Sequence, residues 1–571
     1  MNEHARGGAS TPARPRPSTA PRTHRPTISQ ATPGPAALVP EPLSGSTLGW
    51  HAQRVHVPTY DRSALTPAVV HFSVGGFHRA HQLVYFDDLA ERGETGWGVI
   101  GVGLRSPAMR DALQPQDHLY TVVERSRHGE RARVVGSMVD YLFAPDAPDA
   151  VLAALTDDRT RLVTMTVTGT AYRIDPRTGE FDPDDDDVRA DLDDPHHPRS
   201  LFGYIVEGLD RRRRAGQRPF TVLSCDNMQS NGEAARAAVV GFARLRDEVL
   251  ARWIADSVAF PGSMVDRITP STSPEDRDEV ARRFGVADRW PVITEPFSQW
   301  VMQDEFCHGR PPLEDVGVQF VPDVSAYELM KTRLLNASHS ALGHLGSLAG
   351  HVRMDEVMAD PDLSEYVSRL MSEEIAPLLP VPAGIDLDRY QRTLLDRFAD
   401  PAIADRLARL CRRGSSKVPL YVLPSLHAAL AAGRRTDLLT LAVAGFCRYL
   451  RGTDMQGHPF PLEDDRAEEL RALAVAGGTD PRPLLAVRAV FGDLGDRPDF
   501  VEELAGILQQ LDREGVRATL AARLDAAAHV RHHPVNAPAD RRGPGASGRR
   551  PADRDTAGPV APVPGNALLP A

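Results

Sequence analysis

The stretch "VVHFSVGGFHRAHQLVYFDDL", residues 69–89, sets two adjacent glycines between a short apolar run and a helix-like segment. In a doubly wound sheet, such a strand-to-helix turn is where a pyrophosphate meets the amide groups of a helix N-terminus. Gly75 and Gly76 suit this role because no Cβ keeps their N–H groups away from a phosphate. The usual G-x-G-x-x-G pattern fails, since Ser73 and His78 stand at its first and third glycine positions. The motif alone therefore leaves a nucleotide-binding turn and a plain tight turn equally open.

The residues around this turn indicate the fold class. Before residue 320, helix-like stretches separate several segments rich in β-branched residues: "GWGVIGVGL" (96–104), "DHLYTVVER" (117–125), "RLVTMTVTG" (161–169) and "PFTVLSCDN" (219–227). This alternation predicts an α/β fold, a Rossmann-like doubly wound and mostly parallel sheet with helices on both faces, over residues 46–320. From 321 to 530, apolar residues recur every three or four positions without a strong strand pattern. A mainly α-helical second domain is predicted there.

The overall composition limits the function classes. Residues 1–45 and 531–571 are rich in Pro, Ala and Arg and poor in large apolar residues, which predicts two disordered tails. For the Arg-bearing N-terminus, a transit-like or polyanion-binding role is the alternative. The formal net charge of -11 argues against non-specific nucleic-acid binding. No apolar run approaches the ~20 residues of a membrane span, and no secretory signal is found. Four cysteines without a C-x-x-C pair fit reduced thiols, so a cytoplasmic location is predicted.

One helical segment of the second domain carries polar residues that suggest chemistry. Ser325 and Glu328 match the S-x-x-E capping box, which predicts a helix beginning at Ser325. With 100° per residue, Asn336 lies about 140° and His339 about 80° around the helix from Lys331. The three polar groups therefore share one face. A solvated surface helix would give the same pattern, so the spacing alone does not establish a site.

Oxidation of a secondary alcohol, the reaction implied by the family resemblance of the next paragraph, would use these residue types together. A lysine amine can take the hydroxyl proton, while hydride leaves carbon, if its pKa falls from ~10.4 toward ~7–8. Such a shift corresponds to roughly 4 kcal/mol, which burial and a neighbouring cation can supply. Neutral amides such as those of Asn336 and Asn227, the latter expected at the end of a strand, would stabilise the developing oxyanion without competing for the proton.

Six segments, in the same order along the chain, resemble one family. They are the opening stretch, "SCDNMQSNG" (224–232), "FPGSMVDRITP" (260–270), "EPFSQWV" (295–301), "VGVQFVPDVSAYELMKTRLLNASHSALGHLG" (316–346) and "GSSKVPLYVLPS" (414–425). Together they are similar to the polyol-specific long-chain dehydrogenases, the family of mannitol 2-dehydrogenase and fructuronate reductase. The resemblance covers about residues 65–530, nearly all of the predicted globular part.

The resemblance implies a metal-free oxidoreductase that uses NAD and a lysine. Lys331 would be the general acid/base, Asn227 and Asn336 the oxyanion-binding pair, and His339 a substrate-orienting residue. Further family positions match the substrate contacts Asp266, Arg409 and Lys417 and a proton-path residue, Glu328. The coenzyme would bind at the turn residues Ser73, Val74, Gly75, Gly76, Phe77, His78 and Arg79. As alternatives, Asp266 would cap a helix, and Arg409 and Lys417 would be surface charges.

Three positions depart from the family pattern. Ser73 stands where glycine is usual. In "GVGLRSPAMRDAL" (101–113), Arg105 occupies the region in which relatives commonly carry an acidic residue for the adenine ribose, and no carboxylate precedes Asp111. An arginine there favours a 2′-phosphate, so use of NADP, or of both coenzymes, stays open. Gly169 replaces a glutamate of many relatives, which puts one active-site contact in doubt.

The combined prediction is an NAD(P)-dependent polyol dehydrogenase that interconverts a hexitol and its 2-ketose, D-mannitol and D-fructose first. The expected partner is this small-molecule substrate, with no nucleic acid and no membrane, and a monomer is carried over from the family. A hexuronate reductase is the nearest alternative, because Arg409 and Lys417 would also suit a substrate carboxylate. A nucleotide-binding protein with little turnover is a more distant one. A zinc-dependent alcohol dehydrogenase is disfavoured because its Cys/His ligand spacing is absent.

Overall fold

The computed structural model describes residues 39–532, apart from 168, 175–180 and 383. The tails predicted at 1–45 and 531–571 lie outside the described residues, except for 39–45 and 531–532. Within these exceptions the prediction is wrong: Glu41 and Pro42 pair in parallel with Val286 and Ala287, and the last helix continues to His532. The folded part therefore begins before residue 46 and extends beyond residue 530.

A five-stranded parallel sheet organises the first half of the chain. The strands of the described residues are β1 (Glu41–Pro42), β2 (Pro67–Phe72), β3 (Gly98–Gly103), β4 (Tyr120–Ser126), β5 (Gly129–Val135), β6 (Met138–Phe143), β7 (Leu162–Met165), β8 (Thr221–Ser224), β9 (Ser263–Asp266), β10 (Val286–Ala287), β11 (Val292–Thr294), β12 (Gln299–Gln303) and β13 (Gln319–Val321). The large sheet has the order β6-β3-β2-β7-β8. Renumbered along the chain, this is 3-2-1-4-5, the order of doubly wound dinucleotide-binding sheets.

That order fixes where a ligand would lie. Chain order reverses between β2 and β7, which are hydrogen-bonded neighbours in the sheet. At such a switch point, a crevice opens beyond the carboxyl ends of the strands. The glycine turn follows β2 directly, and the segment containing Asn227 follows β8 at the same edge.

Two smaller sheets contain strands that differ from the sequence expectation. The segment "DHLYTVVER" forms β4, but β4 pairs antiparallel with β5 and parallel with β11 instead of joining the large sheet. The second small sheet pairs β12 with β9 and β13. Asp266 is the last residue of β9, so it lies at one end of this small sheet. A two-residue loop between β4 and β5 favours a hairpin over a helical crossover, which explains the difference.

Helices cover the large sheet and make up most of the second half. Those of the described residues are α1 (Leu48–His51), α2 (Gly76–Ala80), α3 (Gln82–Glu91), α4 (Ala108–Leu113), α5 (Pro148–Thr156), α6 (Asp186–Asp193), α7 (Leu201–Arg214), α8 (Asn231–Arg246), α9 (Glu248–Ser257), α10 (Pro274–Phe284), α11 (Ser325–Met330), α12 (Ala337–Leu348), α13 (Met354–Ala359), α14 (Pro361–Arg369), α15 (Leu387–Phe398), α16 (Leu407–Cys411), α17 (Gly414–Tyr421), α18 (Leu423–Ala431), α19 (Asp437–Tyr449), α20 (Ala467–Gly477), α21 (Arg482–Leu485), α22 (Arg488–Phe491) and α23 (Pro498–His532). π-Helical segments follow α11 and α14, at Lys331–Asn336 and Leu370–Ile375.

The predicted fold class, a doubly wound sheet followed by a mainly helical part, is confirmed. After Val321 the described residues contain isolated β-bridges but no strand. The helical part has one large apolar core around α12 and α19, which also takes in Met264 of β9 and Val301 of β12. The two halves thus share buried apolar contacts. The division of the chain at residues 320 and 321 stays a prediction.

Candidate active site

The glycine turn is held between the ends of two strands. The backbone N–H of Ser73 donates to the carbonyl of Val102 at 2.8 Å, and the carbonyl of Ser73 accepts from Oγ1 of Thr166 at 3.0 Å. These bonds tie the turn to the ends of β3 and β7. Ser73 has a φ of 69°, in the left-handed region that favours glycine. Glycine would adopt this backbone conformation without strain, whereas Ser73 carries a Cβ there.

The turn has room for a phosphate group. A Cβ built on Gly75 would come no closer than 4.0 Å to another heavy atom, and one on Gly76 no closer than 3.8 Å. Gly75 precedes α2 without a side-chain cap, so the first amides of that helix keep their donors for another acceptor. Val74 is buried and turns toward Gly101 of β3, whereas Phe77 is half-buried and packs on the ring of His81. The turn therefore fits a dinucleotide pyrophosphate through its backbone.

Two side chains that were predicted to contact the coenzyme, those of His78 and Arg79, lie in the protein interior instead. The side chain of Arg79 is buried in the protein interior, donates to the carbonyl of Trp290 and lies over the ring of Tyr120. The ring of His78 is also buried and stacks on His71, with 3.2 Å between ring centroids. The prediction that the side chains of His78 and Arg79 contact a phosphate is therefore wrong. Both side chains instead pack in the protein interior beneath the glycine turn.

Arg105 lies at the expected edge of the sheet. It follows the end of β3, three residues after Val102, whose carbonyl binds the glycine turn. Its side chain is exposed and forms no hydrogen bond or ion pair with a described residue. Arg110 pairs with Asp111 and with Asp146, so these nearby carboxylates are occupied. This is the position that faces the adenine ribose in Rossmann folds.

Lys331 and the two predicted amides meet at one point. The Nζ atom of Lys331 donates to Oδ1 of Asn227, and Nδ2 of Asn336 lies 3.5 Å from the same oxygen. Lys331 is 6% exposed, whereas Asn227 is open to solvent. Because its oxygen accepts from Lys331, the Nδ2 atom of Asn227 keeps its N–H donors for another acceptor.

A π-helical segment brings Lys331 and Asn336 together. Residues Lys331–Asn336 depart from the α-helix, and the N–H of Ala337 donates to the carbonyl of Thr332, five residues earlier. In such a segment, residues five apart lie nearly above each other. The 140° separation derived for a regular helix is therefore too large. π-Helical turns of this kind are frequent at functional sites.

The surroundings of Lys331 favour the neutral amine. Burial lowers the pKa of Lys331 to about 8, and the guanidinium of Arg397 acts in the same direction. The carboxylates of Asp266 and Glu328 oppose this shift. Lys331 is one of two lysines among the 66 Lys and Arg residues of the chain, the other being Lys417. Arginine cannot release its proton near neutral pH, which gives a reason for lysine at these two positions.

Arg397 is a site residue that the sequence analysis missed. It lies on α15 and is buried. Its guanidinium donates to both oxygens of Asp266 at 2.8 and 3.0 Å and to both oxygens of Glu295 at 2.9 and 2.7 Å. Burial would raise the pKa of Asp266, but Arg397 and Lys331 outweigh this and lower it. Asp266 thus lies near Lys331 with both oxygens bound by an arginine, and its contact with substrate stays a prediction. Arg397 had no signal of its own, because an arginine on an amphipathic helix is usually a surface charge.

Glu328 has a different partner from the predicted one. It accepts a hydrogen bond from the backbone N–H of Ser230 at 3.0 Å, and burial raises the pKa of Glu328 to about 7. The capping box with Ser325 does not form, so this prediction is wrong, although α11 does begin at Ser325. The N–H and Oγ of Ser325 instead donate to Asp323 at 2.9 and 2.6 Å. Glu328 is therefore free to connect Lys331 with the loop that carries Asn227.

His339 lies at the centre of the predicted substrate contacts. It is buried against the ring of Phe398, and its Nε2 atom has no hydrogen-bond partner among the described residues. Burial lowers the pKa of His339 well below its ordinary value, and the cations of Arg409, Arg397 and Lys417 lower it further. The imidazole is consequently neutral at physiological pH.

Arg409 and Lys417 are near His339 but already hold protein partners. The guanidinium of Arg409 forms a bidentate pair with Asp405. Nζ of Lys417 donates to the carbonyls of Arg409 and Leu410 at 3.4 and 3.0 Å. Burial lowers the pKa of Lys417 to about 8, with Arg409 acting in the same direction.

Tyr172 and Asp226 hold the backbone next to Asn227 in place. The hydroxyl of Tyr172 donates to Oδ2 of Asp226 at 2.5 Å and contacts Ser224 at the same distance. Asp226 directly precedes Asn227, so this contact fixes the backbone there. Tyr172 closes the segment in which Gly169 departs from the family, and Gly169 itself is exposed, with no atom within 4 Å of a built Cβ.

The described residues contain no group of three or more His, Cys, Asp or Glu side chains that could hold a metal ion. Within the same ranges, no helix combines the length and apolar character needed to cross a membrane.

A doubly wound sheet with a glycine turn, joined to a helical part that supplies a buried lysine, is the architecture of a Rossmann-type oxidoreductase. The family model for the mannitol dehydrogenase Rossmann domain matches residues 67–315, and that for the mannitol dehydrogenase C-terminal domain matches residues 323–512. The chain belongs to the mannitol dehydrogenase family. The identification made from the sequence motifs is thereby confirmed.

Individual relatives agree over most of the chain. A mannitol 2-dehydrogenase of Phaeosphaeria nodorum is 47% identical over 502 residues, which cover 86% of this chain and 88% of the relative. Another from Aspergillus fumigatus is 46% identical over 476 residues, 82% of this chain and 95% of the relative. The solved ternary complex of Pseudomonas fluorescens mannitol 2-dehydrogenase with NAD and D-mannitol is 40% identical, with a TM-score of 0.80 over 85% of this chain and 100% of that one. A solved D-sorbitol dehydrogenase is 35% identical, with a TM-score of 0.76 over 84% of this chain and 100% of that one.

Proposed function

We propose that this protein is an NAD(P)-dependent polyol dehydrogenase that interconverts a hexitol and its 2-ketose, with D-mannitol and D-fructose as the first pair. The observation that carries the proposal is the buried Nζ of Lys331 against Asn227, at the sheet edge that also bears the glycine turn. Relatives named mannitol 2-dehydrogenase, one of them solved with NAD and D-mannitol, support the substrate pair.

The nicotinamide coenzyme, when bound, supplies the hydride acceptor for oxidation or the donor for reduction. The protein contributes the open backbone of Gly75 and Gly76 for the pyrophosphate. Thr166 and Val102 keep the turn in place through their hydrogen bonds to Ser73. No step of this binding needs the side chains of His78 or Arg79.

Lys331 moves the proton. In oxidation its neutral amine takes the proton of the substrate hydroxyl, and in reduction its ammonium returns a proton to the new alkoxide. Nδ2 of Asn227 and Nδ2 of Asn336 donate to the oxygen that carries negative charge. The neutral ring of His339 orients a further hydroxyl, because its Nε2 has no partner among the described residues. Glu328, three residues before Lys331, passes the proton toward solvent past the loop of Ser230.

This mechanism fixes the direction of the pH dependence. Since the pKa of Lys331 lies at about 8, the base form accumulates as the pH rises through 8. The kcat/KM of polyol oxidation is expected to rise over that range, and the kcat/KM of ketose reduction to fall. Profiles recorded in both directions check this; parallel changes in the two directions would contradict it.

Lys331→Met tests the proposal directly. The variant keeps the length of the side chain and removes the amine, so kcat is expected to fall on the order of 100- to 10,000-fold in both directions. Coenzyme affinity, measured by fluorescence titration, is expected to stay unchanged because Lys331 does not contact the glycine turn. Lys417→Met, which removes the other lysine, serves as the comparison and is expected to raise KM more than it lowers kcat. Retention of most of the kcat by Lys331→Met would overturn the proposed role.

The role of Arg105 in the preference for NAD or NADP can be tested separately. Arg105 follows β3, forms no ion pair with a described residue, and lies near carboxylates that Arg110 already binds, which favours a coenzyme that carries a 2′-phosphate. We expect turnover with both NAD and NADP, and Arg105→Asp is expected to lower the NADP:NAD ratio of kcat/KM by on the order of tenfold or more. Arg92→Asp, an exposed charge reversal just after α3, is the control and is expected to leave the ratio unchanged. Strict use of NAD by the unaltered enzyme would remove Arg105 from coenzyme binding.

A further inference from the structure

Asn227 lies on a short loop, residues 227–230, that has little packing of its own. The side chains of these four residues are exposed or half-buried, whereas Asp226 before them and Asn231 after them are buried. A loop with few buried contacts is not fixed by its own side chains. The position of the Asn227 amide therefore depends on how the two ends of this loop are held.

The side chain of Asn231 joins both ends of the loop to β9. Its Nδ2 atom donates to the backbone carbonyl of Asp226 at 3.0 Å and to that of Ser263 at 2.7 Å. Its Oδ1 atom accepts from the backbone N–H of Ser263 at 3.0 Å. Both N–H donors of the amide are thus used. One side chain closes the loop and binds it to the first residue of the strand that ends at Asp266.

Gly232, the next residue, allows the loop to come this close to β9. A Cβ built on Gly232 would lie 2.6 Å from the carbonyl oxygen of Phe260 and 2.8 Å from the backbone nitrogen of Gly262. A residue with a Cβ would therefore push the beginning of α8 away from the segment before β9. The hydrogen bonds of Asn231 are formed across this tight contact.

Two other contacts reach the loop, each at one end. Tyr172 donates to the carboxylate of Asp226, and Glu328 accepts from the N–H of Ser230. Glu328 lies three residues before Lys331 on the same helical stretch, so its contact holds the loop to the helical half. Asn231 differs because it binds the residue before the loop from the position after it, and holds both to the sheet-containing half.

We propose that Asn231 is a positioning residue for the reaction, which holds the amide of Asn227 against Lys331 by closing the loop onto β9. The proposal rests on the proposed function, because Asn231 acts through Asn227. Asn231 itself is completely buried and has its amide donors bound to backbone carbonyls, so it does not touch the reacting atoms. Since a displacement of about 1 Å in a catalytic group costs on the order of 100-fold in rate, loss of this hold is expected to appear in kcat.

A double-mutant cycle tests this role. The kcat of D-mannitol oxidation and of D-fructose reduction is measured for the unaltered protein, Asn231→Ala, Asn227→Ala and the double variant. Asn231→Ala is expected to lower kcat on the order of 10- to 100-fold in both directions. In the Asn227→Ala background, the same substitution is expected to lower kcat by less than about threefold, because the amide that it positions is absent. Coenzyme affinity, measured by fluorescence titration, is expected to stay unchanged by Asn231→Ala.

Gln116→Ala is the matched control for loss of a buried amide. Gln116 is also buried, and its side chain donates to the carbonyl of Leu119 at 2.9 Å and to Asp288 at 3.0 Å and accepts from the N–H of Arg289 at 2.7 Å. This substitution breaks as many hydrogen bonds as Asn231→Ala. It is expected to destabilise the fold similarly, while kcat stays within about twofold.

The isosteric variant Asn231→Asp serves where Asn231→Ala fails to fold. It keeps the acceptor for the N–H of Ser263 and removes the two N–H donors, so the same dependence on Asn227 is expected. An unchanged kcat in Asn231→Ala, or an equal loss with and without the Asn227 amide, would overturn the inference and leave the proposed function intact. If Asn227→Ala keeps full kcat, the proposed role of Asn227 fails and the inference with it. Absence of turnover in the unaltered protein would count against the proposed function itself.

Discussion

Ser73 illustrates how one residue departs from a motif without losing its geometry. The turn requires a left-handed backbone at this position, and Ser73 adopts it with a φ of 69°. A residue with a Cβ costs roughly 1–2 kcal/mol in this region, whereas glycine does not. Two hydrogen bonds, to Val102 and from Thr166, hold the strained residue in place. The sequence shows that Ser73 departs from the glycine motif, but its backbone strain can be recognised only from the φ angle.

Ser73→Gly is therefore expected to stabilise the protein. Removing the Cβ relieves the left-handed strain, and the free energy of unfolding is expected to rise by about 1 kcal/mol, since glycine's greater freedom when unfolded offsets part of the gain. Urea unfolding measures it, and kcat is expected to stay within twofold. Ser364→Gly, the same change inside α14, is the matched control and is expected to destabilise by about 0.5–1 kcal/mol. Destabilisation by both variants would contradict the strain at Ser73.

Single residues also divide into those that the sequence could identify and those that it could not. Lys331, Asn227 and Asn336 were predicted as a group, and the structure brings them together. Their roles stay predictions until the variants are measured. Arg397 escaped because its ion pairs with Asp266 and Glu295 join distant segments of the chain and leave no local pattern.

At the scale of elements, regular periodicity predicted well and irregular hydrogen bonding did not. The glycine turn, α3 and four of the five parallel strands, β2, β3, β7 and β8, follow from patterns of apolar and β-branched residues, whereas the edge strand β6 was not predicted. No comparable pattern of residue types marks the π-helical segment Lys331–Asn336, where a backbone hydrogen bond spans five residues. The short strands β9 to β13 were missed for a similar reason, since two to five residues give too little alternation.

The guanidinium of Arg397 joins helix α15 to Asp266 at the end of β9 and to Glu295, which gives a prediction at this scale. Arg397→Met leaves the carboxylates of Asp266 and Glu295 buried side by side without the guanidinium that binds both, and only Lys331 remains as a cation near Asp266. Loss of one partner of a buried ion pair costs about 3–5 kcal/mol. Urea unfolding of the variant is expected to show a loss of this size. Arg392→Met, an exposed arginine on the same helix, is expected to change the value by less than about 0.5 kcal/mol. Equal effects of the two variants would contradict the importance of the network.

At the scale of the whole molecule, the site exists only where the two halves meet. Lys331, Glu328 and Arg397 come from the helical half, and their partners Asn227, Ser230 and Asp266 come from the half that contains the sheet. The fold class of each half followed from its own sequence pattern. The contacts between the two halves could not be predicted in this way, because they depend on how the halves pack against each other.

This shared interface predicts that the two halves unfold together. All five tryptophans, Trp50, Trp97, Trp253, Trp290 and Trp300, precede residue 321, so tryptophan fluorescence reports on the sheet-containing half. Far-ultraviolet circular dichroism weights the helical half, where the described residues contain no strand. Because Met264 and Val301 belong to the helical core and Arg397 joins both halves, we expect the two signals to change at the same urea concentration. In Arg397→Met the link is weakened, and the two midpoints are expected to separate, whereas they should still coincide in Arg392→Met. Two separate midpoints in the unaltered protein would mean that the halves are stable independently and that the ion network orders the site without joining the fold.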